Sequence, residues 1–171
     1  MSVIKPLPGD IGLYRIPGIG GFLIGLGQLL LGDASRYTHA FIVVDDFRAI
    51  AAHPSGARYD YLEQDYPGAV YSTGKLPLTD EQRVQIVAEA TKLLGPPPTP
   101  YSWLDYVAIG LHRFHIRFGF IERYIQDSGH MICSQLDDEV YKRAGVHLFS
   151  DGRLPQDVTP GDIANVLIEE W

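Results

Sequence analysis

The chain holds one cysteine, Cys133, within the run Met131-Ile-Cys-Ser-Gln-Leu-Asp-Asp-Glu-Val-Tyr-Lys-Arg-Ala-Gly145. A thiolate can attack a carbonyl to give a thioester, provided that an imidazole takes and returns the proton. Two of the histidines, His39 and His53, bracket a stretch that reads as a β-hairpin. Two others, His112 and His115, form H-x-x-H, which can place two metal ligands on one helix face. No carboxylate at a supporting spacing joins them, and Arg113 and Arg117 are poor company for a cation, so neither a metal nor a cofactor is assigned. A lone cysteine is also a common core residue. A buried structural thiol therefore stands beside the nucleophile as a reading of Cys133.

The segment after Cys133 has the periodicity of an amphipathic helix. Leu136, Val140 and Ala144 recur at i, i+4, i+8, with Asp137, Asp138, Lys142 and Arg143 expected on the other face and Gly145 as the stop. Cys133 then falls at or just before the first turn. Unpaired N–H groups and the helix dipole favour negative charge there and can lower a thiol pKa from about 8.5 toward neutrality. The histidines are placed by strands. Phe41–Val44 is a β run, Asp45-Asp46 a turn, and Arg48–His53 the returning strand, stopped by Pro54. Antiparallel pairing brings His39, at the start of one strand, near His53, at the end of the next.

The remaining elements follow from local signals. Pro8-Gly-Asp10 turns into a strand, Ile11–Ile16, broken by Pro17-Gly18. Residues 20–31 read as an apolar helix. Ala57–Leu62 and Ala69–Lys75 read as short strands, with Tyr59, Tyr61, Tyr66 and Tyr71 on half-buried faces. Thr79 and Gln82 form a capping-box signature for a helix over Asp80–Leu94, whose inner face is expected to be Val84, Val87, Ala88, Thr91 and Leu94. Gly95–Pro100 is a stiff loop, and a helix is expected from Trp103 to about Leu111. Thr159-Pro-Gly-Asp162 should lead into a closing strand, Ile163–Ile168.

At 171 residues, 46% hydrophobic and 20% charged, the sequence describes one globular domain over 1–171. A net charge of −7 excludes a general nucleic-acid or anionic-membrane binder. One cysteine excludes an internal disulfide framework. The apolar run Ile19–Leu31 is shorter than the roughly 20 residues that span a bilayer and is interrupted by Gln28. No basic region directly precedes it, so neither a transmembrane helix nor a cleaved signal is read, and a cytoplasmic protein is expected. Peripheral membrane contact through residues 19–31 is the minority alternative to a core helix.

Taken in order, the Pro-Gly-Asp strand, the apolar helix, Thr38-His-Ala-Phe-Ile-Val-Val44, the return strand, Tyr101 and Ile132-Cys-Ser-Gln-Leu136 resemble the circularly permuted branch of the NlpC-type papain-like peptidases and amidases, which includes the YiiX-like proteins. Residues 37–44 and 131–136 carry the resemblance, while residues 62–98 and 112–130 carry little of it. It implies an α+β papain-like fold, a small antiparallel sheet or half-barrel packed against the helix of the nucleophile. It also implies Cys133 as nucleophile, His39 as base, and Tyr101 lining the site. Thr38 and Ser134, which flank the base and the nucleophile, are the other expected substrate-binding positions. Relatives often carry a Glu on the return strand to orient the base, but the equivalent position here is close to Ala51. His53 projects from the same strand face two residues on, and is the expected third catalytic residue.

The function this implies is thiol hydrolysis of an amide bond in a small peptide, with a peptidoglycan peptide as the candidate substrate. A cell-wall role without a signal would require lysis-linked release or specialised export, as for a phage product. Two alternatives stay open. One is an acyl- or lipid-directed thioester enzyme akin to lecithin:retinol acyltransferases, mildly favoured by the apolar 19–31 segment. The other is a non-catalytic binding module on the same fold, favoured by the missing Glu.

Overall fold

The computed structural model describes residues 5–18, 21, 25, 29, 35–53, 56–94, 133–150, 152 and 158–167. Among them five strands form one antiparallel sheet: β1 (Ile11–Tyr14), β2 (His39–Val43), β3 (Arg48–His53), β4 (Gly56–Tyr61) and β5 (Val70–Tyr71), in the order β4-β3-β2-β1-β5. The described helices are α1 (Leu62–Asp65), α2 (Asp80–Lys92), α3 (Cys133–Arg143) and α4 (Pro160–Leu167). The architecture is α+β. No described helix is long and apolar enough to cross a membrane.

Side-chain alternation along the strands divides the interior in two. Ile11, Leu13, Ala40, Ile42, Ile50 and Ala52 face α2, α3 and α4 and form the main core with Ile86, Leu136, Val140 and Ile163. The opposite face carries a smaller cluster of Phe41, Val43, Ala49, Ala51, Leu62 and Tyr66. Gly12, on β1 beneath this cluster, is there because nothing larger fits. A Cβ added to it would lie 2.1 Å from the Phe41 ring. Its absence lets Phe41 lie close over β1 and stack on Tyr66, centroids 4.0 Å apart and planes within 10°.

The β2–β3 hairpin closes as its turn chemistry dictates. Asp45 Oδ1 accepts from the backbone N–H groups of Phe47 and Arg48, a local side-chain bond of the kind that makes Asp a turn former. Ile42 pairs with Ile50 and Val43 with Ala49. Continuing that register brings His39 opposite His53, and their ring centroids are 6.1 Å apart. The Pro8-Gly-Asp10 turn, with Gly9 at φ 84°, is tied to β2 by the Gly9 N–H to Val43 O bond at 2.8 Å. Asp10 is buried, and its carboxylate accepts from Arg83, Thr73 and the Leu7 N–H.

Several expectations are corrected. The segment expected as a strand over Ala69–Lys75 pairs only through Val70–Tyr71, because Ser72–Lys75 closes a turn with Gly74 at φ 76°. α2 begins at the Thr79–Gln82 capping box as expected, but ends at Lys92 and buries Ile86 and Ala90. Val84, expected on its inner face, is 69% exposed, and Ala88 and Thr91 are exposed too. The helix is rotated because Arg83 is turned inward to pair with Asp10 at 2.8 Å. Asp137 and Asp138 are buried instead of outward, because α3 touches β2 and β3 as well as α2 and α4.

The closing strand expected over Ile163–Ile168 is instead the helix α4. Thr159 Oγ1 accepts from the Asp162 N–H, Asp162 Oδ2 accepts from the Thr159 N–H, and Pro160 occupies the first turn. That reciprocal cap favours a helix over the β-branched run that follows. In the apolar 19–31 segment the described positions Gly21, Gly25 and Leu29 are helical, and Leu29 is 60% exposed. The expected helix from Trp103, the Gly95–Pro100 loop, Tyr101, His112 and His115 lie outside the described residues.

Candidate active site

β2, β3 and β4 each deliver a polar side chain to the sheet face opposite α3. His39 alternates in phase with Phe41 and Val43, and His53 with Ala49 and Ala51. Asp60 and Arg58 stand opposite Ala49 and Ala51 on β4, so they share that face. Tyr66 reaches the same group from the segment after α1, held by its stack on Phe41 and an edge contact with Tyr14 at 5.5 Å.

These side chains form one hydrogen-bonded chain. His53 Nε2 lies 2.5 Å from Asp60 Oδ2. The Tyr66 hydroxyl donates to the same oxygen, also at 2.5 Å. His39 Nε2 lies 3.1 Å from Tyr66 Oη. Arg58 Nε donates to Asp60 Oδ1 at 3.0 Å. A phenol has one hydrogen, and Tyr66 spends it on an acceptor-only carboxylate. Its oxygen can therefore only accept from His39, which requires the proton of a neutral His39 to sit on Nε2. Nδ1 is then left with the lone pair, which is the form a general base needs.

The electrostatics agree with this assignment. Burial works against the charge of Asp60, but the hydrogen bonds from His53 and Tyr66 and the charges of His53 and Arg58 hold its carboxyl below the usual range. Tyr66 is pushed far up, first by burial, then by its bond to Asp60 and by negative charge at Asp60 and Cys133, so it stays a phenol. His39 is lowered from 6.5 to about 4, first by burial and then by the charge of His53, with Asp60 opposing. At neutral pH it is an uncharged imidazole.

Cys133 is the first described residue of α3, 1% exposed, and its side chain joins the helix-side core. It lies within electrostatic reach of the Tyr66 hydroxyl. Of the residues expected at the site, His39 and His53 are brought to one face and Cys133 near the tyrosine that touches His39. His53 does not touch His39. Its Nε2 is on Asp60, and the group on His39 Nε2 is Tyr66. The Thr38 and Ser134 side chains are buried, with their hydroxyls committed to backbone. Thr38 Oγ1 accepts from the Ile16 N–H at 2.9 Å, and Ser134 Oγ donates to Val158 O at 2.6 Å.

Asp60 and Tyr66 are the residues that sequence reasoning missed. A partial signal existed for Asp60. Arg58 and Asp60 alternate with Tyr59 and Tyr61, so one face of that strand was due to carry charge beside the hairpin histidines. Nothing local separates Tyr66 from Tyr59, Tyr61 or Tyr71. No protein-family model matches the chain, and neither does any curated protein sequence or solved structure.

Proposed function

We propose that this protein is a cysteine hydrolase that cleaves an amide bond, on a papain-like fold of the permuted NlpC type, with Cys133 as nucleophile and His39 as base. The Cys133 sulfur adds to the carbonyl carbon as His39 Nδ1 takes the proton from its thiol and the carbonyl π pair moves onto oxygen. The C–N bond then breaks as that proton passes to the leaving amine, leaving a thioester that water hydrolyses to the acid and the free thiol. The observation that supports this most is the state of His39. It is a buried neutral imidazole with Nε2 saturated by Tyr66, and that tyrosine is within electrostatic reach of the helix-borne thiol. The net charge of −7 disfavours anionic polymers, so a neutral or zwitterionic peptide end, as in a cell-wall peptide, is the substrate class proposed.

One observation favours a second reading, a non-catalytic module. Cys133 is 1% and His39 6% exposed, so a substrate must displace something to reach them. Alkylation of the sole cysteine by iodoacetamide from pH 5 to 9, followed by intact mass, separates the two. For the hydrolase, wild type labels at pH 7 and His39→Ala slows this by roughly tenfold or more. Labelling that rises only near pH 8.5 and is indifferent to His39→Ala refutes the hydrolase in favour of the module.

A further inference from the structure

We infer that Asp60 is the positioning charge for His39, acting through the Tyr66 hydroxyl, and that His53 serves to hold Asp60 and not His39. This deepens the hydrolase reading and, as a statement about that site, rests on it. The geometry assigns each part. His39 Nε2 lies 3.1 Å from Tyr66 Oη, while the His53 ring centre is 6.1 Å from that of His39. Tyr66 alone would be a weak orienter, since a free hydroxyl rotates and can present either its hydrogen or its lone pairs. Asp60 removes that freedom by capturing the hydrogen at 2.5 Å, which leaves only lone pairs for His39. A carboxylate can perform this task only if it is itself immobile and ionised. His53 at 2.5 Å on Oδ2 and Arg58 at 3.0 Å on Oδ1 fix both of its oxygens.

The reach of the chain also explains why a tyrosine is needed. β4 is separated from β2 by β3, so an aspartate on β4 is one strand too far to touch a β2 imidazole directly. Neighbouring strands lie about 4.8 Å apart, and the phenol ring spans the gap. Its stack on Phe41 fixes the hydroxyl in that bridge. The side-chain solvent exposure runs the same way, with Asp60 at 3%, His53 at 21% and Arg58, the outermost member, at 58%. The charged or titratable groups around His39 are His53 from β3, Asp60 from β4, Tyr66 beyond α1, and Tyr14, its pairing partner on β1.

The test is long-range 1H–15N correlation of the histidine side chains in the full chain, which reads tautomer and titration ring by ring. The expected wild-type spectrum shows His39 as the Nε2–H tautomer at pH 7, and this needs no variant. Tyr66→Phe, which keeps the ring stacked on Phe41, is expected to move His39 toward the Nδ1–H form. His53→Gln, which can still donate to Asp60 but carries no charge, is expected to retain Nε2–H and raise the His39 midpoint above about 4, because the His53 charge lowers it. Asp60→Asn is expected to move the midpoint the other way. A wild-type Nδ1–H tautomer overturns the inference. So does a tautomer that survives Tyr66→Phe but is scrambled by His53→Gln, since His53 would then be the direct orienter. Iodoacetamide labelling keeps the two levels apart. An intact tautomer pattern with labelling indifferent to His39→Ala sinks the hydrolase and leaves the chain of bonds standing. Labelling that depends on His39 with the wrong tautomer does the reverse.

Discussion

Replacing His39 by asparagine should change how the stability of this protein depends on pH. His39 is buried, and its pKa is lowered from 6.5 to about 4, chiefly by that burial. The unfolded chain binds a proton at this residue below about pH 6.5, whereas the folded chain refuses it until near pH 4. The contribution of neutral His39 is therefore intact above pH 6.5 and is lost as the pH falls toward 4. At 1.36 kcal/mol per tenfold change, the interval is worth about 3 kcal/mol. His39→Asn cannot take up the proton, although its amide can still donate to Tyr66. Urea unfolding of both proteins at half-unit steps from pH 7.5 to 4 gives the difference in unfolding free energy at each pH. Other titrating groups, Asp137 included, are common to both proteins and cancel to first order. The wild type should lose about 3 kcal/mol relative to the variant across the window. A difference that stays flat would mean that His39 titrates normally in the folded state, and the buried neutral base would have to be abandoned.

Two further outcomes follow from packing. Gly12→Ala places a methyl 2.1 Å from the Phe41 ring, so it should destabilise by roughly 1–3 kcal/mol and also loosen the Phe41–Tyr66 stack; Phe41→Leu should relieve it, and an unchanged melting temperature would refute the contact. Asp137 is fully buried, and neither carboxyl oxygen has a hydrogen-bond partner among the described residues; burial and the neighbouring Asp138 raise its pKa well above 3.8. Because the unfolded chain ionises there first, this residue costs stability increasingly as pH rises above about 4. Asp137→Ala should accordingly stabilise by roughly 1–3 kcal/mol at pH 7, measured by urea unfolding, and a net loss would mean that the carboxyl has a structural partner.

The parts of the fold that were legible in sequence are those set by local chemistry. The 39–53 hairpin could be read because an apolar run, an aspartate turn and a second run leave only one register, and that register carries both histidines to one end. The Thr79 cap could be read because its capping box is local. What escaped was decided by contacts between distant elements. Asp137 and Asp138 have the pattern of a solvated face, and only the packing of α2 and α4 around α3 buries them. Tyr66 looked like one strand tyrosine among several until Phe41, 25 residues away, gave its ring a place to lie. The helix α4 was legible too. Thr159, Pro160 and Asp162 spell a helix start, and that local cap overrides the strand-like apolar run Ile163–Ile168.

The Pro8-Gly-Asp10 turn has a consequence for how the protein is made. Gly9 O accepts from the hydroxyl of Tyr141, a partner 132 residues further along the chain, and Asp10 depends on Arg83, 73 residues on. A ribosome adding about 5–20 residues per second reaches Tyr141 on the order of ten seconds after Gly9. During that interval β1 can pair with β2, but the turn that enters it lacks its tyrosine anchor and the sheet lacks α3 on its apolar face. The nascent sheet must therefore wait with that face uncovered. A chaperone that shields apolar strands would be needed most while residues 44 to 141 are being made, and least once α3 has cleared the exit tunnel.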